Sequence, residues 1–239
     1  MFYAIQELPL SPTSGKKPLY TVINRISGHQ FSKGSTLKTA QAQMARLYIK
    51  AKEMDGRGVE MQGKGGDPEK LIYDSMSDAD LHKYFPNAKI VKYNEIPRGV
   101  GAEEWLKVGE VLFILYESEE NSGHWVALAR GATAFYYFDS YGHKPDVPLT
   151  WISPAKRAEL GETTPILSDM FKITKYPVYY NNYPYQSKKE DIATCGRWAT
   201  LFLIHFKKFK GDLKSFKIET MKRANGRPLD KFVTNIIDK

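Results

Sequence analysis

An α+β fold, with a central antiparallel-rich sheet packed on one buried helix, is what the 239 residues predict. Three observations carry it. Strand patterns cluster in the middle of the chain, at Glu110 to Glu117, His124 to Arg130 and Ala134 to Asp139, with Gly131 to Thr133 as the turn between the last two. Beginning at Cys195, a segment is apolar on nearly every side (Trp198, Leu201, Phe202, Leu203, Ile204, Phe206), the pattern of a helix enclosed by its own protein. Residues 1–100 have a different texture, two helical stretches and one strand among loops, and are expected to be a helical extension or arm, with 101–239 the core.

The elements follow in order. Residues 1–33 read as irregular, with Ser11 to Gly15 as a loop. Between Ser35 and Met54, Leu37, Ala40, Met44, Leu47, Tyr48 and Ala51 recur at helical spacing, and Ser35 or Thr36 can cap the start. Gly56 to Gly66 is a glycine-rich loop. Ser77 with Asp80 makes a capping box for a short helix that runs through Tyr84 and ends at Pro86 and Asn87. Lys89 to Ile96 and Val178 to Tyr183 read as strands. Pro154 opens a short helix at a position where proline is tolerated, and two more helical stretches lie near 213–223 and 228–238.

Composition narrows the function classes. Hydrophobic residues at 42% suffice for a packed core, which argues against global disorder. No apolar run approaches the ~20 residues that cross a bilayer, and the first residues lack the pattern of a secretory signal, so no membrane partner is expected. The single cysteine leaves no internal disulfide and no cysteine-rich zinc site, which suits an intracellular, reducing location. His29, His82, His143 and His205 have no metal-ligand spacing, and neither metal nor cofactor is expected. Gly58 to Gly65 approaches a phosphate-binding loop but lacks the Ser or Thr after Lys64 and a strand leading in, which rules out a nucleotide site. The net charge is +8, concentrated toward the end: ten Lys or Arg against four acids between His205 and Lys239. That stretch is either a solvated helix face or a contact for nucleic acid or an acidic partner.

The chemistry-bearing residues come in the order His124, Asp139, Cys195. If the two strands that carry His124 and Asp139 pair as a hairpin, both side chains reach one end of the sheet. His124, Val126 and Leu128 then share a face, as do Phe135, Tyr137 and Asp139. A carboxylate there can hold one imidazole nitrogen and leave the other for a thiol. Cys195 stands where a loop enters the buried helix, and the amide groups and dipole at a helix start lower a thiol's pKa. Gly196 is expected to let a substrate backbone approach closely.

Gly123-His124-Trp125, then Tyr137-Phe138-Asp139-Ser140-Tyr141-Gly142, then a glutamine ahead of Thr194-Cys195-Gly196, resemble the adenovirus-protease and SUMO-protease clan of cysteine peptidases. The nearest likeness is to virion-maturation proteases of adenoviruses, virophages, polinton-like elements and large DNA viruses. It covers about residues 108–206, and the residues ahead of it are similar to the helical arm of the African swine fever virus member. The resemblance implies a papain-like cysteine peptidase fold of the adenain/Ulp type, with Cys195 as nucleophile, His124 as acid and base, and Asp139 as its orienter. It implies an oxyanion hole from the Cys195 backbone and Gln186, which stands nine residues before the cysteine where the family has six or seven. Trp125 and Gly196 would bound the substrate. Implied partners are protein or polyprotein substrates cut after small residues such as Gly, in the virion and the host cytoplasm or nucleus. Met61 to Gly65 fits such a cleavage motif. A ubiquitin-like deconjugating peptidase, an acetyltransferase and a basic virion protein without activity are the alternatives.

Overall fold

The computed structural model describes Tyr3–Glu7, Tyr20–Asn24 and residues 71–189, 191–209 and 212–238. The helix expected over 35–54, the glycine-rich loop and the Met61–Gly65 motif lie outside the described residues. The chain divides into two units, Met1–Met61 and Gln62–Lys239. In the first, β1 (Tyr3–Glu7) and β2 (Tyr20–Asn24) pair antiparallel, Tyr3 opposite Asn24, where the sequence reads as irregular.

The second unit is built on a mixed sheet of five strands in the order β3-β4-β5-β6-β7. Its strands are β3 (Lys89–Lys92), β4 (Val111–Glu119), β5 (Ser122–Arg130), β6 (Phe135–Asp139) and β7 (Val178–Tyr180). The middle three form the expected antiparallel meander, but β3 pairs parallel with β4, and β7 parallel with β6. Parallel neighbours need crossovers. The first passes through α2 (Ala102–Trp105), after the short α1 (Asp78–Tyr84) has preceded β3. The second passes through a 3-10 turn (Val147–Trp151), α3 (Pro154–Leu160) and α4 (Ile166–Ile173). β3, which lies ahead of residue 100, is hydrogen-bonded to β4. The α1 start shows the expected reciprocal cap, with the Asp80 carboxylate accepting from the Ser77 N–H at 2.9 Å.

Both sheet faces are covered, which explains why β4 reads as a continuous apolar run rather than an alternating one. Phe113, Leu115, Trp125, Ala127, Ala129 and Phe138 pack against α5 (Cys195–Phe209). Leu112, Ile114, Val126, Leu128, Phe135 and Tyr137 pack on the opposite side with Leu149 and with Ile166, Leu167 and Met170 of α4. Eleven of the fifteen residues of α5 are buried, because α6 (Leu213–Ala224) and α7 (Leu229–Thr234) cover the side turned away from the sheet. Phe138 stacks on Phe202 with centroids 4.9 Å apart, and Phe216 meets both rings edge-on. Such a pair adds about 0.5–1.5 kcal/mol beyond its buried area.

One glycine is dictated by the strand geometry. A Cβ on Gly123 would lie 1.9 Å from the Tyr116 carbonyl oxygen, at the irregularity where β4 and β5 part. Only glycine lets the two backbones close up directly ahead of His124.

Candidate active site

His124 sits near the start of β5 and Asp139 at the end of β6. In register, Asp139 faces Val126, which makes it the diagonal neighbour of His124 on the same sheet face. The His124 Nε2 atom lies 3.2 Å from Asp139 Oδ1, both residues buried. Nε2 has no aligned hydrogen-bond acceptor, so this is a contact of charge. With Nε2 turned to the carboxylate, Nδ1 is the nitrogen left for the thiol.

Asp139 is itself held on three sides. Its Oδ1 accepts from the Tyr141 backbone N–H at 2.7 Å, its own N–H donates to Asn181 Oδ1 at 2.9 Å, and its carbonyl accepts from Asn181 Nδ2 at 2.6 Å. Asn181 therefore clamps the end of β6. Its side chain supplies the in-and-out pairing of a missing strand residue beyond β7.

Cys195 opens α5, buried. Burial pushes its thiol pKa up, but the His124 imidazole outweighs that, and with the Trp125 and Gly196 backbone N–H groups it brings the thiol below its ordinary 9.0. Burial likewise pulls His124 down, and the charges of Asp139 and Cys195 overcome it, raising the imidazole to about 10. Each member of the pair thus favours the charged form of the other. The arrangement can hold a thiolate and an imidazolium together at a lower pH than an unpaired thiol would allow, the state in which sulfur is a nucleophile and the ring an acid.

Gln186 is brought to the same place. Its Oε1 accepts from Ser140 Oγ at 2.8 Å, and its Nε2 donates to the Ile192 carbonyl at 2.7 Å and to the Tyr141 hydroxyl at 3.0 Å. The loop between Gln186 and Cys195 is fastened at both ends by one carboxylate. Asp230 accepts from the Ser187 N–H at 3.0 Å and from the Thr194 hydroxyl at 2.6 Å.

Trp125 and Gly196, expected to bound the substrate, both pack against Met76. The Trp125 indole is buried and donates to the Met76 carbonyl at 2.9 Å. A Cβ on Gly196 would meet Met76 Cβ at 2.9 Å and Trp125 Cδ1 at 3.2 Å. Glycine at 196 therefore makes room for the segment ahead of α1, so its smallness serves packing. Two aromatic residues that the sequence did not single out also lie against His124. Tyr141 stacks on the imidazole with centroids 5.1 Å apart, and half-exposed Trp151 meets the imidazole edge-on at 5.3 Å. Tyr141 was in view, two residues after Asp139, but a tyrosine in an aromatic-rich chain reads as packing. Asn181 and Trp151 carried no local signal. Among the described residues no group of His, Cys, Asp and Glu is placed to hold a metal ion, and no helix is long and apolar enough to cross a membrane.

No protein-family model matches the chain. The crystal structure of the ASFV pS273R protease is similar over 80% of this chain and 79% of that one, with a TM-score of 0.41 and 16% identity. The uncharacterized protein V9 of Sputnik virophage is 32% identical over 153 residues, which span 59% of this chain and 86% of V9. With that identity over most of the virophage protein's length, the chain belongs to the V9 family.

Proposed function

We propose that the chain is a cysteine endopeptidase in which Cys195, His124 and Asp139 carry the chemistry. The observation behind this reading is the mutual charge stabilisation of His124 and Cys195 at a helix start, with a clamped buried carboxylate on the far imidazole nitrogen. The Cys195 thiolate attacks the scissile carbonyl carbon, and the carbonyl electron pair moves to oxygen. The resulting oxyanion is held by backbone and side-chain donors at the start of α5. Collapse expels the amine, which takes its proton from the His124 imidazolium and leaves a thioester on Cys195. Neutral His124 then removes a proton from water, hydroxide attacks the thioester, and the acid product leaves with the thiolate restored. Asp139 fixes the imidazole orientation and favours its charged form throughout.

The substrate class comes from the sequence resemblance: viral structural precursor proteins cut after small residues such as Gly. The basic stretch after His205 is a proposed contact for nucleic acid, and the steepness with which DNA binding falls with salt measures it. Cleavage profiling on a peptide library tests the peptidase reading. Turnover by the wild type, with products ending in small residues, is expected, and Cys195→Ala should abolish it while leaving the thermal unfolding curve in place. Equal cleavage by the two proteins would remove Cys195 from the reaction.

A further inference from the structure

Gln186 was expected to give its amide directly to the oxyanion. It has two side-chain N–H groups, and both are spent, on the Ile192 carbonyl and on the Tyr141 hydroxyl. Its oxygen is occupied by Ser140 Oγ. The amide is buried and held from three sides, so it cannot turn a free N–H toward a substrate without breaking one of these contacts.

The Tyr141 hydroxyl is in the opposite condition. A phenol donates one hydrogen and accepts at oxygen. Here the oxygen accepts from Gln186, and no acceptor among the described residues receives the hydroxyl hydrogen. The rest of the residue is anchored at the candidate active site: its ring lies on His124 with planes 29° apart, and its backbone N–H is bound to the Asp139 carboxylate. Burial, and then the charge on Cys195, raise the phenol to about 12, which keeps its proton in place over the working range.

We propose that Tyr141 is a catalytic residue, its hydroxyl donating to the oxyanion while Gln186 holds and polarises it. This rests on the cysteine-peptidase reading. As the thiolate adds and the carbonyl pair shifts to oxygen, the Tyr141 O–H bond stays intact and only its hydrogen bond is new. When the intermediate collapses, that bond is released, and no proton is transferred. Accepting from the Gln186 N–H makes the phenol a stronger donor, so the two residues act as a chain. Gln186 becomes the positioning residue. The aromatic ring has a separate task, as a face for the charged imidazole.

The test is a four-protein cycle of wild type, Tyr141→Phe, Gln186→Ala and the double variant, each assayed for peptide cleavage and for Cys195 alkylation by iodoacetamide. Alkylation needs the thiolate but no oxyanion hole. Tyr141→Phe keeps the ring and is expected to lower kcat on the order of 10²-fold, with KM and the alkylation rate within about twofold of wild type. Adding Gln186→Ala to Tyr141→Phe should cost under about threefold more, because the chain is already broken. A Tyr141→Phe kcat that is unchanged or raised overturns the proposal, since the hydroxyl then only fills the hole. Alkylation that falls in step with kcat also overturns it, by placing the effect on the His124–Cys195 pair. A wild type that is alkylated quickly but cleaves no peptide removes the peptidase reading, and the proposal with it, and is recognised from the wild-type arm alone.

Discussion

The imidazole of His124 and the thiol of Cys195 move each other's titration in opposite directions, and this fixes the pH range of the chemistry. The thiol ionises below its usual 9.0, while the imidazole keeps its proton up to about 10. The ion pair exists between those limits. Its stabilising effect is lost as pH falls through the lowered thiol pKa, and again as pH rises through the raised imidazole pKa. The alkylation rate of Cys195 should therefore reach its plateau below pH 9, and kcat/KM should fall on the alkaline side near 10. In His124→Ala the thiol should titrate markedly higher than in wild type, and an alkylation profile that does not move would contradict the coupling. That His124, Asp139, Cys195 and Gln186 would gather in one place was legible because the proposed chemistry draws on few residue types, in a recognisable order. Tyr141 and Asn181 were not. Asn181 reaches Asp139 across forty-two positions of chain, and only the fold reveals that closeness.

Among the elements, the loop 187–194 shows how a long approach to the proposed nucleophile is held in place. Asp230 at the start of α7 ties Ser187 and Thr194 together, and the Ala193 N–H donates to the Ile72 carbonyl at 2.8 Å. A long loop would blur the spacing of Gln186 and Cys195. This one is fixed by a carboxylate that is itself buried. Asp230→Ala leaves two donors without that acceptor and is expected to cost about 1–3 kcal/mol of stability. It should also lower kcat more than tenfold on the order expected for a misplaced catalytic group, with faster amide exchange confined to 187–194. Unchanged kcat and exchange would show that the loop needs no such tie. The meander from Val111 to Asp139 was readable because its apolar runs and turn are local. The parallel edges were not, since pairing across a crossover leaves no periodic trace in either strand. Helix α4 escaped notice for a related reason: its buried residues are only Ile166, Leu167 and Met170, directly behind Pro165.

For the whole molecule, stability against pH also depends on buried groups outside the His124–Cys195 pair. Glu162 is fully buried, accepts from the Glu117 N–H at 3.0 Å, and has its other oxygen unpartnered. Burial, and beyond it the charge of Glu117, raise it to about 7. A carboxyl raised above its usual 4.5 favours the folded state in its protonated form, so stability declines as pH climbs from about 4.5 to about 7. Glu162→Gln should raise the melting temperature at pH 8, by a free energy on the order of 2–3 kcal/mol at most, and change little at pH 4. A variant less stable than wild type at pH 8 would refute this account. His205, buried against Ser215 and lowered to about 4 by its burial, works from the other side, losing stability as pH falls below about 6.5. The order of the parts along the chain has one more consequence. The meander that bears His124 and Asp139 is contiguous and closes with short-range contacts, which form early. Cys195 comes fifty-six residues after Asp139, and the carboxylate that fixes its loop, Asp230, comes later still. A growing chain can therefore bring His124 and Asp139 together well before Asp230 is available to fix the loop ahead of Cys195.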